Sequence, residues 1–220
     1  MPSLLRRNHS QHPPTGRSPR RGLVAIVCLV LGVIPDVGAA MRVVIDAGHG
    51  GHDRGADSGL VYEKHLAFDV ARRVEAILKA QGVKTVMTRE RDVFIPLSKR
   101  ADISNAYRDG VFVSIHFNSA SSRSATGLET FYYGTHKDSY ALARLVQSAI
   151  LYKTRKPDRG VKYRQLYVLS HNKRPAILVE CGFLSNSGEL RNCLDPRYRQ
   201  NIAEGIAMAV IRFGRGGKVR

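Results

Sequence analysis

Apolar positions fall into two rhythms along the chain. Short unbroken apolar runs at Arg42–Ala47, Val83–Thr88, Val111–Ile115, Leu128–Tyr133, Leu166–Leu169 and Pro175–Val179 predict six strands. Between the first two, Leu66, Val70, Val74, Ile77 and Leu78 recur at helical spacing. They predict a helix from about Glu63 to Ala80, stopped by Gly82. Further helices are predicted over Leu97–Tyr107, over Ser139–Leu151 with Leu142, Leu145, Val146 and Ala149 on one face, and over Tyr198–Phe213. Ser119–Thr126 reads as a polar loop and Gly214–Arg220 as a loose basic tail. Strands alternating with helices predict one α/β domain over 41–213, a mostly parallel sheet of about six strands flanked by helices.

The first 40 residues break this pattern. A basic, polar stretch carrying Arg6, Arg7, Arg17, Arg20 and Arg21 leads into an apolar run from Leu23 to Ile34. Small residues follow at Gly38, Ala39 and Ala40. That order is the pattern of a secretory signal peptide over 1–40, with cleavage expected after Ala39 or Ala40. The apolar run has 12 residues. A membrane-spanning helix needs about 20, so the mature protein is not expected to be an integral membrane protein. Ser18-Pro19-Arg20-Arg21-Gly22 partly matches a twin-arginine export signal, which leaves the route open between that and general secretion. Export places the mature chain in the periplasm or cell envelope.

Charge sharpens the choice of partner. The 220 residues hold 35 Lys and Arg against 18 Asp and Glu, a net of +17. Five Arg and one Asp would leave with the signal; 30 basic and 17 acidic side chains remain, a net of +13. An exported basic domain is expected to meet an acidic envelope polymer rather than nucleic acid, acting as a monomer. The segment Lys153–Arg164 holds six basic residues and one Asp and is read either as a groove wall for acidic peptides or as a solvated loop. Cys181 and Cys193 are expected to be buried thiols rather than a disulfide.

Candidate chemistry gathers at strand ends. His49 follows the first predicted strand, His116 the third and Glu180 the sixth. In open parallel sheets, function collects beyond the carboxyl ends of strands. Two imidazoles and one carboxylate with an open fourth position are a common catalytic zinc arrangement. Glu63, at a helix start, is the candidate third ligand, but its plain role is to satisfy the helix dipole. From spacing alone, His52, Asp53, Asp57 and His65 are rivals.

Longer motifs decide among them. Asp46-Ala47-Gly48-His49-Gly50-Gly51 with Gly55-Ala56, Glu63-Lys64, Thr88-Arg89 with Asp92, and Arg100 before Asn105 occur in order. Ser114-Ile115-His116-Phe117-Asn118 and Val179-Glu180-Cys181-Gly182-Phe183-Leu184-Ser185-Asn186 follow. Together they resemble the zinc-dependent N-acetylmuramoyl-L-alanine amidases of the bacterial cell wall, the amidase 3 type. Two positions depart from that family: Ala47 where Pro is usual, and Ser104 where Ala is usual. The resemblance implies Zn2+ held by His49, Glu63 and His116, with Glu180 as the catalytic carboxylate and peptidoglycan as substrate. It returns His52 and His65 to exposed or neighbouring positions. Asp46 or a backbone carbonyl is expected to orient a ligand histidine. Asn118 is expected either to touch substrate or to cap its loop. The chain has no room for an inserted helix over the zinc or for a wall-targeting domain, so an uncovered catalytic domain is expected. A zinc carboxypeptidase acting on stem peptides, and a wall-binding module without catalysis, are the competing functions.

Overall fold

A computed structural model describes residues 41–217; the expected signal segment over 1–40 lies outside them. The first strand, β1 (Arg42–Ala47), has five of its six residues buried. Its consecutive apolar residues are the signature of a strand covered on both faces. A long loop leads to α1 (Glu63–Ala80), then β2 (Lys84–Met87), α2 (Leu97–Asn105), β3 (Gly110–Asn118) and β4 (Leu128–Tyr132). The remainder runs α3 (Ser139–Thr154), β5 (Asp158–Tyr163), α4 (Tyr167–Ser170), β6 (Ala176–Phe183), α5 (Ser187–Leu194) and α6 (Pro196–Gly214). Among the described residues no helix is long and apolar enough to cross a membrane.

The sheet order is β2-β1-β3-β6-β4-β5. Neighbours from β2 to β6 are parallel, β4 runs antiparallel to β6, and β5 is parallel to β4. Helices α1, α3 and α6 cover one face through a core that includes Leu66, Val74, Leu142, Ile150, Ile202 and Ile206. The opposite face carries a smaller core of Val44, Phe112, Phe131, Val168, Leu169 and Leu178. Its cover comes from the short helices α2 and α4. Cys181 and Cys193 are buried free thiols, as expected.

Several elements differ from the expected pattern: β3 and β6 run on past Ile115 and Val179 to Asn118 and Phe183, so His116 and Glu180 lie within strands rather than after them. Leu166–Leu169 is not a strand: Tyr167–Ser170 forms the single-turn helix α4, with Val168 and Leu169 buried against the smaller core. A four-residue apolar run cannot tell a buried strand from a buried helical turn. The fifth strand instead lies within the basic segment, at Asp158–Tyr163, where no residue is fully buried. It is the sheet's edge, and charged residues there are the usual protection of an edge strand. Helix α5 was not foreseen, although Asn186 caps it by accepting the Glu189 N–H at 3.0 Å.

A buried polar knot ties these layers together below the strand ends. Asp46 and Arg100 form an ion pair at 2.7 Å, with side chains 1% and 2% exposed. Asp46 also accepts hydroxyl protons from Thr88 at 2.6 Å and Ser114 at 2.7 Å. Burial pushes the Asp46 carboxyl up, but the Arg100 charge and the two hydroxyls outweigh it and hold the group below its usual range. Arg100 further donates to the carbonyls of Ala47, His49 and Ile95. Arg89 donates to Ala47, Gly48 and Lys64. Two guanidinium forks thus satisfy the backbone of a turn that no ladder could reach.

Replacing Arg100 by Met strands the buried Asp46 carboxylate and three carbonyls. Urea unfolding is expected to show a loss of about 3–5 kcal/mol. A loss under about 1 kcal/mol would mean the knot is not a foundation of the fold.

Candidate metal centre

The turn after β1 is shaped to bring groups together. His49 sits in the left-handed region at φ 60°, and its ring lies edge-on to that of His116, with centroids 4.9 Å apart. A Cβ on Gly48 would lie 2.4 Å from the His116 ring. Gly55, at φ +67°, passes so close that a Cβ would be 2.6 Å from both Glu63 Oε2 and the His49 ring. Neither place admits a side chain, which is why glycine stands at both.

Glu63, the first residue of α1, is buried between two imidazoles. His49 Nε2 lies 3.1 Å from its Oε2, and His116 Nδ1 lies 2.8 Å from its Oε1. Each oxygen also accepts one backbone N–H, Oε2 from Ala56 at 2.9 Å and Oε1 from Phe117 at 3.0 Å. One ligand atom from each of His49, Glu63 and His116 falls within 4.8 Å of the others, a group able to hold a metal ion. Of the rivals, His52 and His65 are exposed. Asp57 is exposed too, and its carboxylate accepts the Gly59 N–H. Asp53 serves the site differently: its Oδ2 meets His49 Nδ1 at 2.9 Å and so turns Nε2 toward Glu63. Asp46 does not orient a histidine; its oxygens are taken by Thr88, Arg100 and Ser114. Asn118 caps its loop by accepting the Ser119 N–H and donates to Glu129 at 2.6 Å.

Glu180 stands on β6 directly beside His116 on β3 in the sheet register. Its Oε2 is buried and has no hydrogen-bond partner. Burial raises its carboxyl to about 7; His116 pulls it down, while Glu63 and Glu129 push it up. Glu63 is held well below the usual carboxylate range, since the hydrogen bonds and charges of both imidazoles outweigh its burial. Burial opposes a charge on His116, yet the Glu63 hydrogen bond and charge win and raise it to about 9. An imidazole proton therefore fills the role of a cation here. A cleft of about 410 Å³ opens beside the cluster, lined by His49, Phe94, Leu97, His116, Tyr167 and Leu178 among others.

Fold and site together define a class: an α/β protein on a mostly parallel sheet, with a two-histidine, one-carboxylate candidate metal site and an uncommitted acid beside it. The family description N-acetylmuramoyl-L-alanine amidase (Amidase_3) matches residues 43–212, and the chain belongs to that family. The chain is similar to the uncharacterized protein YqiI of Bacillus subtilis, 35% identical over 170 residues, covering 76% of this chain and 82% of that one. It is 33% identical over 175 residues to the N-acetylmuramoyl-L-alanine amidase LytC of the same organism, covering 79% of this chain but only 35% of LytC. The crystal structure of an N-acetylmuramoyl-L-alanine amidase from Clostridium difficile 630 superposes with a TM-score of 0.77 at 36% identity, covering 79% of this chain and 96% of that one.

The shifted groups set a pH dependence for the metal-free protein. His116 is raised in the fold, so its stabilisation is complete below its unfolded value of 6.5 and is lost as pH climbs to about 9. Glu180 is also raised, so its ionisation costs stability between 4.5 and about 7. Urea midpoints of the metal-free protein are expected to fall in both windows. Glu63→Gln is expected to remove the upper one, and an unchanged upper slope in that variant would break the assignment.

Proposed function

We propose that the mature chain is an exported peptidoglycan hydrolase that cleaves the amide between N-acetylmuramic acid and the L-alanine of the stem peptide. Residues 1–40 act as the signal peptide that delivers it to the cell envelope. His49 Nε2, a Glu63 oxygen and His116 Nδ1 hold a zinc ion, and Glu180 is the catalytic carboxylate. The observation that carries this reading is one arrangement: three donor atoms within 4.8 Å beside a buried carboxylate oxygen without a partner.

The donor set fits the ion. Two imidazoles and one carboxylate form an open catalytic zinc site. The metal-free cluster already needs a positive charge, because Glu63 is ionised between two rings. When bound, zinc supplies a Lewis acid that polarises the amide carbonyl and eases deprotonation of water. The protein does the rest. Asp53 fixes the His49 ring through Nδ1. The Ala56 and Phe117 N–H groups hold the Glu63 carboxylate in place. Glu180 accepts a proton from the attacking water at its free oxygen and returns it to the leaving nitrogen of L-alanine. Burial raises the Glu180 carboxyl in the metal-free protein, the direction that suits a group that both takes and returns a proton near neutral pH. The cleft wall of Phe94, Leu97 and Tyr167 excludes water from one side of the substrate.

Glu180→Ala is expected to bind zinc at full stoichiometry and lose activity by at least about a hundredfold, read by release of new L-alanine amines from sacculi. Activity equal to the parent would remove the proposed role. His116→Ala is expected to lose both metal and activity. Full zinc content in that variant, measured by plasma emission, would overturn the ligand assignment. Mass spectrometry of the digest distinguishes shortened stems, the mark of a carboxypeptidase, from intact stems with free alanine amines.

A further inference from the structure

The proton-transfer site has a charged flank that the mechanism above does not use. Glu129, on β4, lies directly opposite Glu180 on β6 in the antiparallel register. Opposed residues carry Cβ atoms about 4.5–5.5 Å apart. Glu129 is buried, 4% exposed. Its Oε1 accepts from Asn118 Nδ2 at 2.6 Å. Its Oε2 accepts from Arg159 Nε at 3.2 Å and from Lys162 Nζ. Two cations from the edge strand therefore converge on one carboxylate.

One cation would neutralise Glu129; the second is in excess. Both are reachable, with side chains 36% and 42% exposed. Arg159 uses Nε on Glu129 and Nη1 on the Thr126 carbonyl, and its guanidinium stacks over Phe183 at 4.8 Å. A guanidinium has five N–H donors and an ammonium three, so each side chain keeps donors to spare. The result is a preorganised, half-exposed pair of donors converging on one carboxylate, on the strand beyond Glu129 as seen from Glu180.

Resting on the amidase reading, we propose that Arg159 and Lys162 form a carboxylate-binding subsite for the stem peptide. The subsite selects substrates in which a residue just beyond the L-alanine carries a free carboxylate. The muramoyl side of the scissile bond is a sugar ether without a free acid, whereas the peptide side carries carboxylates within one or two residues. The edge strand lies two strand spacings from β6, about 9–10 Å; two extended residues span about 6.6–7.2 Å, and the second residue's own side chain carries its carboxylate the remaining distance to the edge-strand cations. Charge-assisted bonds of this type are geometrically selective, which separates an acid from its carboxamide. The buried Glu129 acts as a positioning residue. It holds the two long side chains in place and removes most of the entropy cost of ordering them on substrate.

The test compares two muramoyl-L-alanyl peptides that differ only in a free carboxylate or a carboxamide on the second residue. The metal-loaded full chain is expected to cleave the acid with kcat/KM roughly tenfold or more above the amide. Arg159→Gln and Lys162→Gln, each leaving one cation on Glu129, are expected to shrink that ratio toward one. Calorimetry of the released acid and amide peptides with the metal-free protein is expected to show the same order of affinity and the same loss in the variants. Equal rates and equal affinities for the two forms in the parent protein would overturn the subsite, and this outcome needs no variant to fold. So would a ratio unaltered in both folded variants. Cleavage of neither peptide at the muramoyl amide would count against the amidase reading instead, and the affinity ratio would still judge the subsite.

Discussion

The centre rests on a buried charge pair. Asp46 and Arg100 lie under the end of β1, away from water, and such a pair ordinarily struggles to repay its desolvation. Here the carboxylate receives two further hydroxyl protons and the guanidinium three carbonyls. Nearly every polar atom of both groups is matched, which is the condition under which such a pair becomes favourable. What it secures is the backbone from Ala47 to His49, since that turn lends its own carbonyls to Arg100 and Arg89. A left-handed histidine is strained and survives only where its surroundings dictate it. The knot supplies that dictation.

With the turn fixed, the two carboxylates near His116 are driven apart by their surroundings. Glu63 is wrapped by two rings and two backbone N–H groups and stays ionised. Glu180 is buried with one oxygen unmatched and keeps its proton to near neutrality. One fold thus holds a permanent anion and a titrating acid side by side, the arrangement by which environments assign different roles to identical side chains. The anion suits a cation and the titrating acid suits proton transfer.

Much of this was legible in the chain itself. Helix α1 spans the bounds its apolar spacing predicts, because an 18-residue amphipathic stretch leaves little room for another reading. β1 is equally clear as a run buried on both faces. His49, His116 and Glu180 announced themselves by ending apolar runs. Glu63 did not: a first-turn acid looks the same whether it serves a helix dipole or a metal, and only the family resemblance separated the two. Asp53 was visible as a rival ligand, but its true part, steering the His49 ring, depends on a four-residue turn that spacing cannot describe. Helix α5 and strand β5 are short and polar, so hydrophobic period carries almost no signal for either.

The rule that chemistry sits at the carboxyl ends of strands holds for His49 after β1 and only for the later halves of β3 and β6, which run on past His116 and Glu180, and it is also why Glu129 escaped notice. β4 runs against β6, and β5 follows β4. Their beginnings, not their ends, therefore arrive beside Glu180 and the candidate metal site. Leu128-Glu129 opens β4 and Asp158-Arg159 opens β5, so the acid and its cations enter from the starts of strands. In a wholly parallel sheet those positions would sit at the opposite rim, far from Glu180. Reversing the last two strands of the sheet brings a charged edge to bear on a site whose own ligands come from the other direction. That reversal sets part of a segment that reads as either groove wall or solvated loop beside Glu129, the residue opposite Glu180.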